Sequence, residues 1–368
     1  MEHTSNMKSL KIGVLTFHRC INYGSYWQAR CLAEGLQARG HNAVILDHHS
    51  RRVNVAEWKC ALQPVLPTAV PKEDRPLYRE KTEKFFKIFD TLPLSPRFPL
   101  DQPEQMEDYD VVVVGSDEVW NLFHPWFGKN PLFYGDGIKA KQVISYAASF
   151  GNYPATWGLE KVWADKLLNF DRISVRDENS QILVQNAIGT TPEIVLDPCL
   201  QFPINTEART NVFKTPYMAV YGHNFSDSFA RQIRNWATEK KLPLVSIGYR
   251  NDWADEQWLT ADPHDFAHFI AGAEAMATNF FHGCIFALRN EKPFVCETTP
   301  YRSIKVQGLM AKVGGEKHLV TEDMPASVYH TQLSNPMDIQ ITRNITRLRQ
   351  SSNAYLDAAL NVKQFQVV

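Results

Sequence analysis

The chain lacks a basic excess: 39 Lys plus Arg stand against 40 Asp plus Glu, for a net charge of −1. A broad nucleic-acid surface needs such an excess, so no nucleic-acid partner is expected and an anionic ligand must be held by a local cluster. Nowhere is there a run of the ~18 apolar residues that a membrane span requires. The opening MEHTSNMKSLKIGVLTF has no apolar core of signal-peptide length before its first strand-like stretch. The six cysteines (Cys20, Cys31, Cys60, Cys199, Cys284, Cys296) form no CxxC pair and no dense framework, and read as reduced, mostly buried thiols. The twelve histidines show no HExxH or similar spacing, so no metal is expected. Gly135-Asp136-Gly137-Ile138-Lys139-Ala140 imitates a dinucleotide fingerprint but precedes a strand instead of following one, and is discarded. Together these absences lead to the expectation of a soluble, cytoplasmic protein.

What is present is a repeated alternation of strand and helix. At 368 residues, 44% of them hydrophobic, the chain exceeds the usual limit for one core, and two domains are expected. Strand-like runs fall at 11–17, 42–47, 111–114, 143–147, 173–175 and 194–196, with a long helical period from Ser25 to Arg39. Val111 to Val114 is entirely β-branched, as suits a parallel strand buried on both faces. A second series begins after Asp197-Pro198, with strands at 217–221, 244–247, 275–278 and 294–297 alternating with helices. The expected fold class is α/β, with two Rossmann-like domains facing a cleft at the strand C-terminal ends. The domains are expected at 8–200 and 210–335, with a terminal helix in 336–368 crossing back to the first. A proline-punctuated stretch, 51–105, interrupts the first pattern and reads as an excursion, with one helix near 78–89 and the position of a flap over a site.

Four segments at expected strand ends carry possible chemistry. In Asn22-Tyr23-Gly24-Ser25, Gly24 permits close backbone approach to a phosphate or sugar and Ser25 is placed to cap the following helix; a plain turn with a cap is the alternative. In Gly115-Ser116-Asp117-Glu118-Val119-Trp120, Asp117 is placed to accept a proton from a sugar hydroxyl and Trp120 to stack on a sugar ring. An N-cap Asp with a core Trp is the bland equivalent. Arg176, ending the strand at 174–175, offers a fork for carboxylate or phosphate, or an ion pair with Asp177 or Glu178. His282, in Thr278-Asn279-Phe280-Phe281-His282-Gly283-Cys284, sits where a turn into a helix leaves N–H groups unpaired, a natural anion site with a group that titrates near neutrality. Cys284 is taken as packing and Asp197 as structural at the domain junction. Arg302 and Lys305 either bring charge to the cleft or form a solvated face. Aromatic side chains of the excursion and of the loop 249–258, with Trp253 and Trp258, either stack on sugar or fill the domain interface.

At these residues the chain resembles the polysaccharide pyruvyl transferase family. The matching pieces are KIGVLTF…NYGSYWQA at 11–29, VVVVGSDEVWN at 111–121, ISYAASFG at 144–151, SVRDENS at 174–180, VLDPCL at 195–200, TNFFHGCIFAL at 278–288 and EKPFV at 291–295. The resemblance implies a B-type glycosyltransferase arrangement. It also implies transfer of a pyruvyl group from phosphoenolpyruvate to two sugar hydroxyls, forming a ketal and releasing phosphate in polysaccharide or exopolysaccharide biosynthesis, without a cofactor. Arg176, His282, Gly283, Arg302 and Lys305 are then expected to bind the donor, and Asn22, Tyr23, Gly24, Ser116, Asp117 and Trp120 the acceptor. His282 and Asp117 are the expected catalytic pair. Many members carry Arg where this chain has Phe280; Arg302, Lys305 and Arg289 are the substitutes, with Arg302 ranked first. The implied acceptor is a sugar or lipid-linked oligosaccharide, the latter associating the protein peripherally with the inner face of the membrane. A nucleotide-sugar glycosyltransferase and a non-catalytic glycan-binding assembly protein are the rival readings; against the first, no Glu pair with seven intervening residues occurs in the second domain.

Overall fold

The computed structural model describes residues 9–66, 69–207, 209, 213–298 and 303–361. The first unit runs β1 (Lys11–Leu15), α1 (Tyr23–Ala38), β2 (Asn42–Ile45), β3 (His48–His49), α2 (Arg51–Leu62), α3 (Arg75–Phe89), β4 (Phe98–Pro99), β5 (Tyr109–Val114), β6 (Ala140–Ser145), α4 (Lys161–Leu167), β7 (Ser174–Val175), α5 (Glu178–Ile188) and β8 (Glu193–Ile194). After α6 (Pro198–Gln201) the second unit runs β9 (Met218–Tyr221), α7 (Asp227–Lys240), β10 (Leu244–Ile247), β11 (Glu256–Trp258), α8 (Pro263–Gly272), β12 (Ala275–Thr278), α9 (Phe281–Arg289), β13 (Phe294–Glu297), α10 (Ser303–Val313), β14 (Leu319–Val320) and α11 (Ala326–Ser334). A long helix, α12 (Ile339–Leu360), closes the described chain.

Both main sheets are parallel, in the orders β2-β1-β5-β6 and β11-β10-β9-β12-β13-β14. Parallel bridges at Ile144–Arg172 and Ala148–Val175 carry the first pattern on to the β7–β8 pair. The core strands are apolar on both faces: Val111 to Val114 and Met218 to Val220 are fully buried, as expected for sheets covered by helices on each side. Strand order reverses between β1 and β5 and between β9 and β12. Loops leaving those four strands open the crevice in which such sheets bind ligands. These loops carry Asn22, Asp117 and His223, and His282 follows on the first turn of α9.

The two units meet along the start of α1. Tyr23 stacks on Phe266 of α8 (centroids 4.5 Å apart, 4° between planes) and donates to Ala261 O, and Trp27 Nε1 donates to Pro263 O. Helix α12 returns to the first sheet, where Tyr355 Oη donates to Ser145 O at 2.7 Å.

Among its described residues the excursion holds two α-helices, not one. Residues 51–62 form α2 under a Ser50 cap, although only Val53 and Glu57 of it are buried. So narrow a buried face gives no apolar stripe for periodicity to detect.

Candidate active site

A cleft of about 440 Å³ opens at the crevice. Its wall includes Phe17, Asn22, Ser25, Asp117, Glu118 and His124 from the first sheet's loops, and Glu57, Tyr78 and Lys81 from the excursion. His223, Tyr249, His282 and Lys305 close it from the second unit. The excursion is therefore part of the wall.

Beneath the cleft lies a buried charge cluster. Arg176 Nη1 donates to Asp197 Oδ2 at 3.1 Å and Nη2 reaches Asp117 Oδ1 at 3.4 Å. The guanidinium also lies 4.5 Å from the centroid of the Phe281 ring. His282 Nε2 stands 3.7 Å from the same Asp197 oxygen, an ion-pair distance too long for a hydrogen bond. Burial alone would push the Asp197 carboxyl up, but His282 and Arg176 beside it hold it at about 2. Burial likewise opposes the Arg176 charge, and Asp117 and Asp197 more than offset it.

Asp117 faces the cleft from the left-handed region (φ 73°), a conformation that non-glycine residues adopt at a cost and that concentrates at functional sites. Its Oδ2 accepts from Ser25 Oγ at 2.9 Å. Next to it, burial would raise Glu118, but Lys305 pairs with it and holds it at about 2. His282 lies at the first turn of α9, its ring against the backbone of Gly24, where an added Cβ would overlap Nδ1.

Several expected contacts take another form. Trp120 is fully buried, with Nε1 donating to Phe133 O, so it cannot stack on a sugar. Tyr23 is occupied in the seam between the units. Gly24 makes room for the His282 imidazole and not for a ligand. The cap of α1 is Asn22, which lines the cleft while its Oδ1 accepts from Gly24 N and Ser25 N; Ser25 instead serves Asp117. Ser116 is fully buried and outside the cleft wall. Gly283 lets α9 start against β12, since a Cβ there would overlap Thr278 Oγ1. Arg176 lies under the wall, 2% exposed in its side chain. Its partners are Asp117 and Asp197, and neither expected neighbour, Asp177 or Glu178, is among its ion pairs. Arg289 donates to Cys199 O and Phe202 O at the far end of α9. Trp253 packs edge-on against Phe225, and Trp258 against Phe213 and Phe269. Arg302 lies outside the described residues. Lys305 is in the wall, paired and not solvated.

Asp197, expected to be structural at the domain junction, follows a strand as Asp117 does and pairs with Arg176 beneath the cleft. Glu57, Lys81 and His223 belong to no motif in the sequence, whereas Tyr249 falls in the loop 249–258 expected to stack on sugar or fill the domain interface. Among the described residues Asp197, Cys199 and His282 bring metal-ligand atoms within 4.8 Å of one another. That set suits a cation poorly, because Arg176 already bonds the carboxylate and burial raises the Cys199 thiol well above its ordinary value.

The profile of the family described as polysaccharide pyruvyl transferase matches residues 22–299. The chain belongs to that family. Among solved structures, a Listeria monocytogenes protein described as a UDP-N-acetylglucosamine 2-epimerase shares 11% identity, with 95% of this chain and 96% of that one covered at a TM-score of 0.53. The Neisseria meningitidis UDP-GlcNAc 2-epimerase, bound to UDP-GlcNAc, gives 11%, 93%, 94% and 0.47 for the same quantities. Acinetobacter baumannii MurG gives 11%, 95%, 99% and 0.42. At such identity only the fold follows, and it follows from the first of these alone: the two-unit B-type glycosyltransferase arrangement. No curated protein sequence matches the chain. A pyruvyl transferase of this family is a transferase of polysaccharide biosynthesis with a sugar or glycan acceptor. No helix among the described residues is long and apolar enough to cross a membrane.

Proposed function

We propose that this pyruvyl transferase moves a pyruvyl group from phosphoenolpyruvate to two hydroxyls of one sugar, forming a cyclic ketal and releasing phosphate. The observation that carries this reading is the meeting of Asp117 and His282, from opposite units, in the wall of one cleft. His282 is the acid–base group at the donor and Asp117 the base toward the attacking hydroxyl. Arg176 is a positioning residue that holds Asp117 and Asp197 in place. Lys305 brings positive charge to the same wall.

The methylene carbon of the donor takes a proton as a sugar hydroxyl attacks the neighbouring carbon. The C–O bond to phosphate then breaks, and the second hydroxyl attacks the oxocarbenium. Two hydroxyl protons are released; one replaces the proton delivered to carbon and one leaves on phosphate, so charge and atoms balance. General acid–base help of this kind contributes ~10²–10⁴-fold. The test is incubation with phosphoenolpyruvate and a panel of sugar glycosides bearing paired hydroxyls. Acceptor-dependent phosphate release with gain of the pyruvyl mass is expected; nucleotide-sugar turnover with no use of phosphoenolpyruvate would overturn the reading.

A further inference from the structure

The charge balance of the cleft singles out one lysine. Of the described cations in and beneath the wall, Arg176 is neutralised by Asp117 and Asp197, and Lys305 is paired with Glu118. Lys81, on the excursion helix α3, is different. Its side chain is buried in the wall, and its Nζ donates to Gly248 O at 2.9 Å. Among the described residues no carboxylate lies within ion-pair distance of it. An ammonium carries three N–H donors, so this bond leaves two. The ammonium sits 5.0 Å from the Tyr23 ring and 4.7 Å from the Tyr249 ring, faces that favour a cation without neutralising it. Across from it, Glu57 Oε1 accepts from Ile21 N at 2.7 Å, while its buried Oε2 has no partner.

We propose that Lys81 is the cation that binds the donor's anionic group, so that the excursion helix completes the donor site. This rests on the proposed use of phosphoenolpyruvate. The groups facing Lys81 are Glu57 and Cys60 on α2, Tyr23 on α1, Phe85 on its own helix, and Gly248 O with Tyr249 after β10. Burial lowers the Lys81 ammonium to about 7, against the weaker support of Cys60 and Glu57. An incoming anion reverses that balance, because a nearby opposite charge favours the charged form. Donor binding therefore draws a proton from solvent onto Lys81.

Titration calorimetry of the full chain with phosphoenolpyruvate, at a pH just above neutral and in two buffers of different ionisation enthalpy, reads both affinity and proton uptake. K81M is expected to bind ~10–100-fold more weakly, the range for losing a hydrogen bond to a charged group. K81R, permanently charged, is expected to retain most of the affinity and to lose the Lys81 share of the uptake. Equal affinity in K81M, or equal uptake in K81R and wild type, overturns the assignment. K81R keeps the test open where K81M does not fold. Uridine diphosphate runs alongside as a second anion. If wild type binds it and not phosphoenolpyruvate, with the same dependence on Lys81, the donor reading fails and the lysine assignment stands. If neither anion binds to wild type, both fail.

Discussion

Gly24 and His282 occupy adjoining space so closely that a methyl group at position 24 would overlap the imidazole Nδ1. Helix α1 of the first unit therefore sets the ring position of a residue carried by α9 of the second. G24A is expected to fold, because alanine suits the first turn of a helix, and to displace the imidazole. Turnover should fall by ~10²–10⁴-fold, the span that general acid–base help supplies, as in H282A. The double variant G24A/H282A should be no worse than H282A, since both changes remove one function. Steady-state rates of the three proteins, with melting curves as control, check this; additive losses would break the link.

Arg176 and His282 also share Asp197. D197A leaves a buried guanidinium with one carboxylate in place of two. Breaking a buried pair costs ~3–5 kcal/mol, and the surviving Asp117 contact should keep the loss at the lower end. Asp197, held at about 2 in the folded state against an ordinary 3.8, contributes stability that is complete above the ordinary value and is lost as pH falls through about 2. Denaturant unfolding of wild type and D197A at pH 7 and pH 2 should therefore give a gap that narrows in acid.

Most of both parallel sheets is legible, because apolar runs such as 111–114, 217–221, 244–247 and 275–278 stop at Gly or Asn; the short edge strands β11 and β14, of three and two residues, give no such run. Asp117 and His282 were legible for the same reason: each follows a buried strand at a switch point. Contacts between units were not. Tyr23, Gly24 and Gly283 share the local pattern of ligand-binding turns, yet their neighbours are Phe266, His282 and Thr278. Glu57 and Lys81 were invisible because their helices lie in a proline-broken stretch and turn charged residues inward. Only tertiary packing defines that part of the wall.

Trp120 separates a stacking role from a core role. Its indole is fully buried and bonded to Phe133 O. W120F removes that bond and some packed volume, so stability should fall by ~1–3 kcal/mol. The acceptor KM should stay near that of wild type. A large rise in acceptor KM with unchanged melting temperature would return Trp120 to the cleft.

Glu57 offers a pH-dependent test of the same wall. Burial raises its carboxyl from an ordinary 4.5 to about 7, more than Ile21 N–H and Lys81 lower it. A group raised in the folded state stabilises fully below its ordinary value and loses that contribution as pH rises through its folded one. Wild type should thus lose stability between pH 4.5 and 7 through this residue. E57Q keeps an oxygen for Ile21 N–H and cannot ionise, so it should gain on wild type across that window and hold a constant lead above it. Melting temperatures of the two proteins from pH 4 to 8 decide the matter. A difference that does not vary with pH would mean that Glu57 titrates alike in the folded and unfolded chain and that the excursion wall is wetter than its burial implies.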